Sequence, residues 1–188
     1  MSSSLAADYK ISAADYFALP EGPPFFQLID GALFMSPSPN RYHQDVIRNI
    51  GVPLTQHVEQ QHAGRVYFAP SDVVFNEEHI FQPDLYFVSN ERLGILTPQG
   101  ASGAPDLVVE VLSLGTATLD LGRKKEVYQQ TGVREFWAVS PVSKNIEVYR
   151  FWGSSVTDSE TLLLREEDTL TSKLLPDFEL PVRAVFRA

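Results

Sequence analysis

Residues 106–113 read DLVVEVLS, and no other stretch restricts the fold as strongly. Side chains alternate along a strand, so Leu107, Val109 and Val111 share one face, while Asp106, Val108, Glu110 and Leu112 share the other. Both faces are apolar around Glu110, which predicts a central strand covered on both sides. A carboxylate in that position costs several kcal/mol unless a cationic side chain, a metal ion or a proton offsets it. The stretch therefore calls for a layered α/β domain and makes the burial of Glu110 something to be explained.

The rest of the chain supplies the layers. FFQL and ALFM flank Asp30-Gly31, a two-residue hairpin signal, and predict strands near 25–29 and 32–36. Val46, Ile47, Ile50, Leu54 and Val58 recur at helical spacing through 41–62. Ser38 is a candidate N-cap for this helix with Pro39 at its first position, Pro53 should kink or split it, and Gly64 is placed as its C-cap. RVYFAPSDVVF reads as extended with a break at Ala69–Pro70, and DLYFVS (84–89) reads as a strand. The Gly- and Pro-rich stretch between 90 and 105 reads as a loop. A second helix is expected over 118–131, ended by Gly132. EFWAVSP and NIEVYRFW predict a strand pair, and the tail reads as peripheral β structure. The reading is a 1–20 arm, its helical part in SAADYFAL, followed by a single 21–188 domain built on one mixed central sheet with strands added at both ends.

A register follows if 84–89 and 106–113 pair antiparallel across a symmetric connection: opposed positions sum to about 194, which sets Asp84 against Glu110. Opposed residues have Cβ atoms ~4.5–5.5 Å apart, so two carboxylates repel unless a cation lies between them. Mg²⁺ takes oxygen ligands and keeps several waters. Asp84, Glu110 and the backbone carbonyl at Val111 could hold it. The alternative is a structural ion pair with Lys or Arg. On the second helix Leu121, Lys124 and Tyr128 share a face, which brings Lys124 over the acids, where an ammonium can balance charge or steady a developing anion.

PDLYFV, APDLVVEVLS, the helix with Lys124 and Tyr128, GVREFWAVSP and LLPDFELPV together resemble the Uma-type restriction endonuclease family of the PD-(D/E)XK nuclease superfamily, from about residue 15 to the C-terminus. The resemblance implies an αβββαβ restriction-endonuclease-like core and a Mg²⁺- or Mn²⁺-dependent endonuclease acting on DNA, usually as a dimer. It maps the superfamily aspartate onto Asp84, the acid onto Glu110 and the lysine onto Lys124. The position two after the acid, where the superfamily lysine normally falls, is Leu112. Ala32 and Gln27 stand where family members commonly carry glutamate.

Other features limit the function. The formal net charge of −9 opposes a general electrostatic grip on nucleic acid, which needs a basic surface. The absence of cysteine excludes disulfides and thiolate chemistry and fits a cytoplasmic protein. No apolar run reaches membrane-spanning length, and no secretory signal opens the chain. Nothing resembles a phosphate-binding loop or a helix-turn-helix. Ser113 lacks His–Asp partners for nucleophilic work, and no His pair finds a third zinc ligand. Asp106 reads as a turn residue, Lys125 as a solvated neighbour of Lys124, Tyr128 as core or a supporting donor, and His43 as either a hydrogen-bonding residue near the site or an ordinary surface histidine. VYRFW and VVF are the apolar segments that look exposed enough for a homodimer contact. The charge, the displaced lysine and the missing acids favour a second class of function, a non-catalytic binding or assembly protein on a nuclease-like scaffold.

Overall fold

The helical periodicity of 41–62 becomes one continuous helix, α2 (Arg41–Gln60), in the computed structural model, which describes residues 10–20, 22–36, 38–113, 115, 117–153, 155–163 and 167–187. Its N-cap is Asn40, not Ser38. The Asn40 side chain accepts from the His43 N–H at 2.9 Å, the bond that defines a cap. Pro53 neither splits nor ends the helix, because Ile50 and Leu54 on either side are fully buried and hold the flanking turns to the sheet. Nor does Gly64 cap it. The chain leaves the helix through His62 in the left-handed region (φ 50°), and Gly64 opens strand β3 (Gly64–Phe68).

Gly64 is needed for a different reason. Its φ is +155°, and a Cβ there would lie 2.1 Å from the Val88 carbonyl oxygen of the neighbouring strand. A Gly64→Ala variant is expected to lose roughly 1–3 kcal/mol, the usual cost of forcing atoms into a packed site, measurable as a lower urea midpoint with an unchanged slope.

The central sheet contains β3, β6 (Leu85–Ser89), β9 (Leu107–Val111), β10 (Glu135–Ser140), β11 (Asn145–Trp152) and β12 (Ser155–Leu163), in the order β12-β11-β10-β9-β6-β3. The β9–β10 pair is parallel and the rest are antiparallel. A parallel pair needs a crossover. Here it is the helical segment α3 (Ala117–Leu119), a π-turn at Asp120–Lys124, and α4 (Lys125–Thr131), closed by Gly132 at φ 102°. The expected αβββαβ order is thus α2, β3, β6, β9, α4, β10. On one face Val46, Ile50 and Leu54 of α2 pack against Leu85, Leu107 and Val109. On the other, Val127 and Tyr128 of α4 pack against Tyr86, Val108 and Phe136. All five β9 residues are buried, as a strand covered on both sides requires.

The added strands do not extend that sheet. β1 (Phe26–Ile29), β2 (Ala32–Met35), β4 (Asp72–Asn76), β5 (His79–Phe81), β7 (Leu96–Thr97) and β8 (Gly100–Ser102) form a second six-stranded sheet, ordered β2-β1-β5-β4-β8-β7. Residues 90–105 are therefore not a plain loop. They form a 3₁₀ turn (Asn90–Ile95) and two short strands, and β8 pairs parallel with β4. Ile29, Val73, Phe81 and Ala101 of this sheet join the core on the α4 side. The Asp30-Gly31 hairpin forms with both residues at positive φ (54° and 76°), which this turn class demands.

Residues 1–9 of the expected arm lie outside the described residues. Beyond them, α1 (Ala13–Phe17) is capped by Ser12 and Asp15 and tied to the second sheet by Ala13 N–H to Glu77 O at 3.0 Å. In the tail, β13 (Thr169–Thr171), β14 (Glu179–Pro181) and α5 (Val182–Val185) close the α2 side, where Asn49 donates to Val185 O at 3.0 Å. VVF and VYRFW turn out to be interior: Val73 and Val148 are fully buried, Phe151 nearly so, and only Trp152 is widely exposed (80%).

Candidate active site

Sheet register brings the two acids together. Leu85, Tyr86 and Phe87 oppose Val109, Val108 and Leu107. One further step sets Asp84, just outside β6, against Glu110, on the face they share with Tyr86 and Val108. Asp84 Oδ2 accepts from the Val111 N–H at 2.7 Å, and its backbone oxygen accepts from the Ala69 N–H at 3.1 Å. The two acids differ in access: the Asp84 side chain is 18% exposed and that of Glu110 4%.

The crossover supplies the cation. Lys124 Nζ donates to Glu110 Oε1 at 3.0 Å and stands 2.9 Å from Asp120 Oδ1. The Tyr128 hydroxyl donates to the same Glu110 oxygen at 2.5 Å. Lys124 closes the π-turn and Tyr128 follows four residues later in α4, so both reach down onto the sheet from one helical face. A π-turn is an uncommon helical form, found often at functional sites.

Burial sets the electrostatics. It pushes the Glu110 carboxyl up to about 8, against the pull of Lys124 and with Asp120 and Asp84 adding to the rise. It pushes Asp84 up to about 7, although the Val111 N–H and Lys124 favour its anion. For Lys124 burial acts the other way, but Glu110 and Asp120 outweigh it and hold the ammonium above its ordinary range. Tyr128 is raised well above normal by burial and by Glu110, so it remains a hydroxyl donor. The cluster thus faces three carboxylates with one ammonium. Once all are ionised, two negative charges are in excess.

That excess is what a divalent cation would neutralise. Among the described residues no group of three or more His, Asp or Glu side chains has a metal-holding arrangement. The fit therefore rests on two carboxylates and a backbone oxygen. Mg²⁺ accepts that set because it usually keeps several waters. Glu110 Oε2 and Asp84 Oδ1 form no hydrogen bond with any described residue and are the atoms available for it. His43 borders the same place, with Nε2 2.8 Å from Val111 O and 3.5 Å from Asp84 Oδ2. A carbonyl only accepts, so Nε2 carries the proton. Nδ1 is then a buried lone pair without a partner among the described residues. Burial lowers the His43 pKa, which keeps the ring neutral.

The other flagged residues do structural work. Asp106 is fully buried, accepts from Ser89 N–H at 2.8 Å and from Arg134 at 3.2 Å, and ties two strand ends together. Lys125 is not simply solvated, since its Nζ sits 4.4 Å from the centre of the Tyr149 ring. Gln27 accepts from the Gln82 N–H at 3.2 Å and donates to Ser36, a bridge between strands rather than an acid at the site. Ala32 is exposed in the edge strand β2. Asp120 escaped sequence reasoning, although its position four residues before Lys124 is the spacing of a helical ion pair. Of the two readings of His43, the hydrogen bond near the site is the one found, although nothing in its neighbourhood in sequence points to Val111 as the partner.

The model of the Uma2 family, described as "Putative restriction endonuclease", matches residues 13–183. The fold is similar to a crystal structure described as a putative nuclease belonging to DUF820 from Anabaena variabilis, with a TM-score of 0.79 at 18% identity, covering 94% of this chain and 97% of that one. No curated protein matches. No helix among the described residues is long and apolar enough to cross a membrane.

Proposed function

Since the chain belongs to the Uma2 family, the restriction-endonuclease family whose model spans residues 13–183, we propose that it is an endonuclease that hydrolyses DNA phosphodiester bonds with Mg²⁺ or Mn²⁺. The observation that carries the reading is the opposed pair Asp84 and Glu110 beneath the Lys124 ammonium, one cation facing three carboxyl groups.

Asp84, Glu110 and the Val111 carbonyl are the ligands in this reading. A divalent ion bound there supplies Lewis-acid polarisation of the scissile phosphate. Asp84, the more exposed acid, faces the solvent side from which DNA approaches. Glu110 is held in one rotamer by Tyr128 and Lys124, so its free oxygen is aimed before substrate arrives. Lys124 stays protonated throughout and places a fixed positive charge beside the developing negative charge of the transition state. His43 holds the Val111 carbonyl in place. A homodimer would set one such site against each strand of a duplex.

Supercoiled plasmid with Mg²⁺ or Mn²⁺ tests the reading: the wild type should nick it and Asp84→Asn should not. Calorimetric titration with Mn²⁺ adds the pH dependence. Burial raises both carboxyl pKa values, so protons compete with the ion, and affinity should rise between pH 6 and pH 8.5. An affinity independent of pH, or unaltered in Asp84→Asn, would place the ion elsewhere. The non-catalytic alternative is favoured by the net charge of −9 and by Lys124 already facing two carboxylates. Mn²⁺ binding without nicking of any DNA would select it.

A further inference from the structure

A cavity of 610 Å³ is lined by Phe17, Pro24, Phe25, Pro70, Asp72 and Gln82 among others. We propose that it receives an unpaired nucleobase of the substrate strand, guanine in preference to thymine. The proposal rests on the nuclease reading above and names what that site would hold next to the cleaved bond.

Three observations carry it. The first is position. Gln82 precedes Asp84 by two residues, and Pro70 follows Ala69, whose N–H donates to the Asp84 carbonyl. Ser71, also in the lining, pairs with the Tyr86 hydroxyl at 2.7 Å, and Tyr86 lies on the sheet face of Asp84 and Glu110. Neither acid lines the cavity, but these contacts tie its wall to the strand that carries Asp84. Secondly, part of the wall is aromatic and accessible: Phe17 is 49% exposed and Phe25 40%. Bases stack on such faces without regard to sequence. Thirdly, one polar group of the lining is held in place. Asp72 Oδ1 accepts from Gln82 Nε2 at 2.8 Å and lies 2.9 Å from the Tyr16 hydroxyl. Gln82 is itself anchored by Gln27. Asp72 Oδ2 accepts from no described residue, so it offers a held carboxylate oxygen to an N–H donor. Guanine presents two adjacent donors on its pairing edge, N1–H and the N2 amino group, and thymine presents one.

Such a pocket also answers the charge problem. A chain of net charge −9 gains little from a general grip on phosphates, so contacts to bases are where its hold on a strand can come from.

The test uses the full chain in EDTA, where neither metal nor cleavage is involved. Fluorescence anisotropy would compare a single-stranded oligothymidylate carrying one central guanine with the same strand carrying an abasic position. The guanine strand should bind roughly tenfold tighter, the discrimination of one good base-edge contact, because the thymines of either strand can stack in the cavity and only guanine adds paired N–H donors for Asp72. Phe17→Ala and Phe25→Ala, both at exposed positions, should abolish that difference, and Asp72→Asn should reduce it while leaving binding to the abasic strand unaltered. Equal affinity of the wild type for the two strands would overturn the proposal, as would a guanine preference that survives both Phe variants. Because nicking is measured separately, loss of this pocket and loss of the nuclease reading give different results.

Discussion

Glu110→Gln should abolish nicking and at the same time make the metal-free protein more stable at pH 8. The substitution keeps the shape, and the Gln oxygen can still accept from Tyr128 and Lys124, so the fold has no reason to change. What disappears is a negative ligand. If the ion's polarisation of the phosphate is worth about 4 kcal/mol, within the several kcal/mol typical of metal catalysis, the rate falls about a thousandfold. Stability moves oppositely for a reason that can be signed. Burial raises the Glu110 pKa to about 8 in the folded chain from an ordinary value of 4.5. Between those values the native state binds more protons than the unfolded one, so wild-type stability falls as pH rises. The Gln variant lacks this titration. Its urea midpoint in EDTA should exceed that of the wild type at pH 8 and change less between pH 5 and pH 8. Nicking retained within a few fold would remove Glu110 from the machinery.

Lys124→Ala carries the larger penalty to stability. It deletes the ammonium that faces Glu110 at 3.0 Å and Asp120 at 2.9 Å, all three side chains being under 5% exposed. Breaking a buried pair from one side typically costs 3–5 kcal/mol, because the remaining charge is left uncompensated. The loss should be greatest at pH 8 and smaller near pH 5, where Glu110 can take up a proton instead. Adding Asp120→Asn to Lys124→Ala removes one orphaned charge and should recover part of the stability. Nicking should not return with it if the ammonium acts on the transition state. Recovery of both together would reduce Lys124 to a structural counterion.

Several parts of this arrangement were legible in the sequence. DLVVEVLS states its own burial, since both alternating faces are apolar, and a strand of that kind has no stable place except the middle of a covered sheet. The α4 face follows from 3.6-residue periodicity, which is local. Even the register came out as observed, because 85 opposes 109 and 86 opposes 108 as a symmetric connection requires. Helical spacing already set Lys124 on the face over the acids, and the resemblance to the Uma-type family matched that residue to the family's displaced lysine.

Local chemistry misled where two signals competed or where partners were distant. Ser38 and Asn40 are both good caps, and only the bond to His43 N–H decides between them. Gly64 looks like a helix terminator, but its need for glycine comes from Val88 O, far along the chain. The β1–β2 hairpin and the extended β4 stretch were legible, but that they belong to a second sheet was not: short strands such as β7 and β8 show almost no periodicity, and which strands pair over long separations leaves little mark on side-chain order.

What the sequence determined by itself is the pair of interior carboxylates and the helix that answers them, because alternation and helical spacing are properties of neighbouring residues. Tertiary structure alone decided that His43 reaches the Val111 carbonyl and that the Val111 N–H holds the Asp84 carboxylate. Those contacts join segments from dozens of residues apart, and it is burial at their meeting point that raises the carboxyl pKa values and leaves the charge a cation would satisfy.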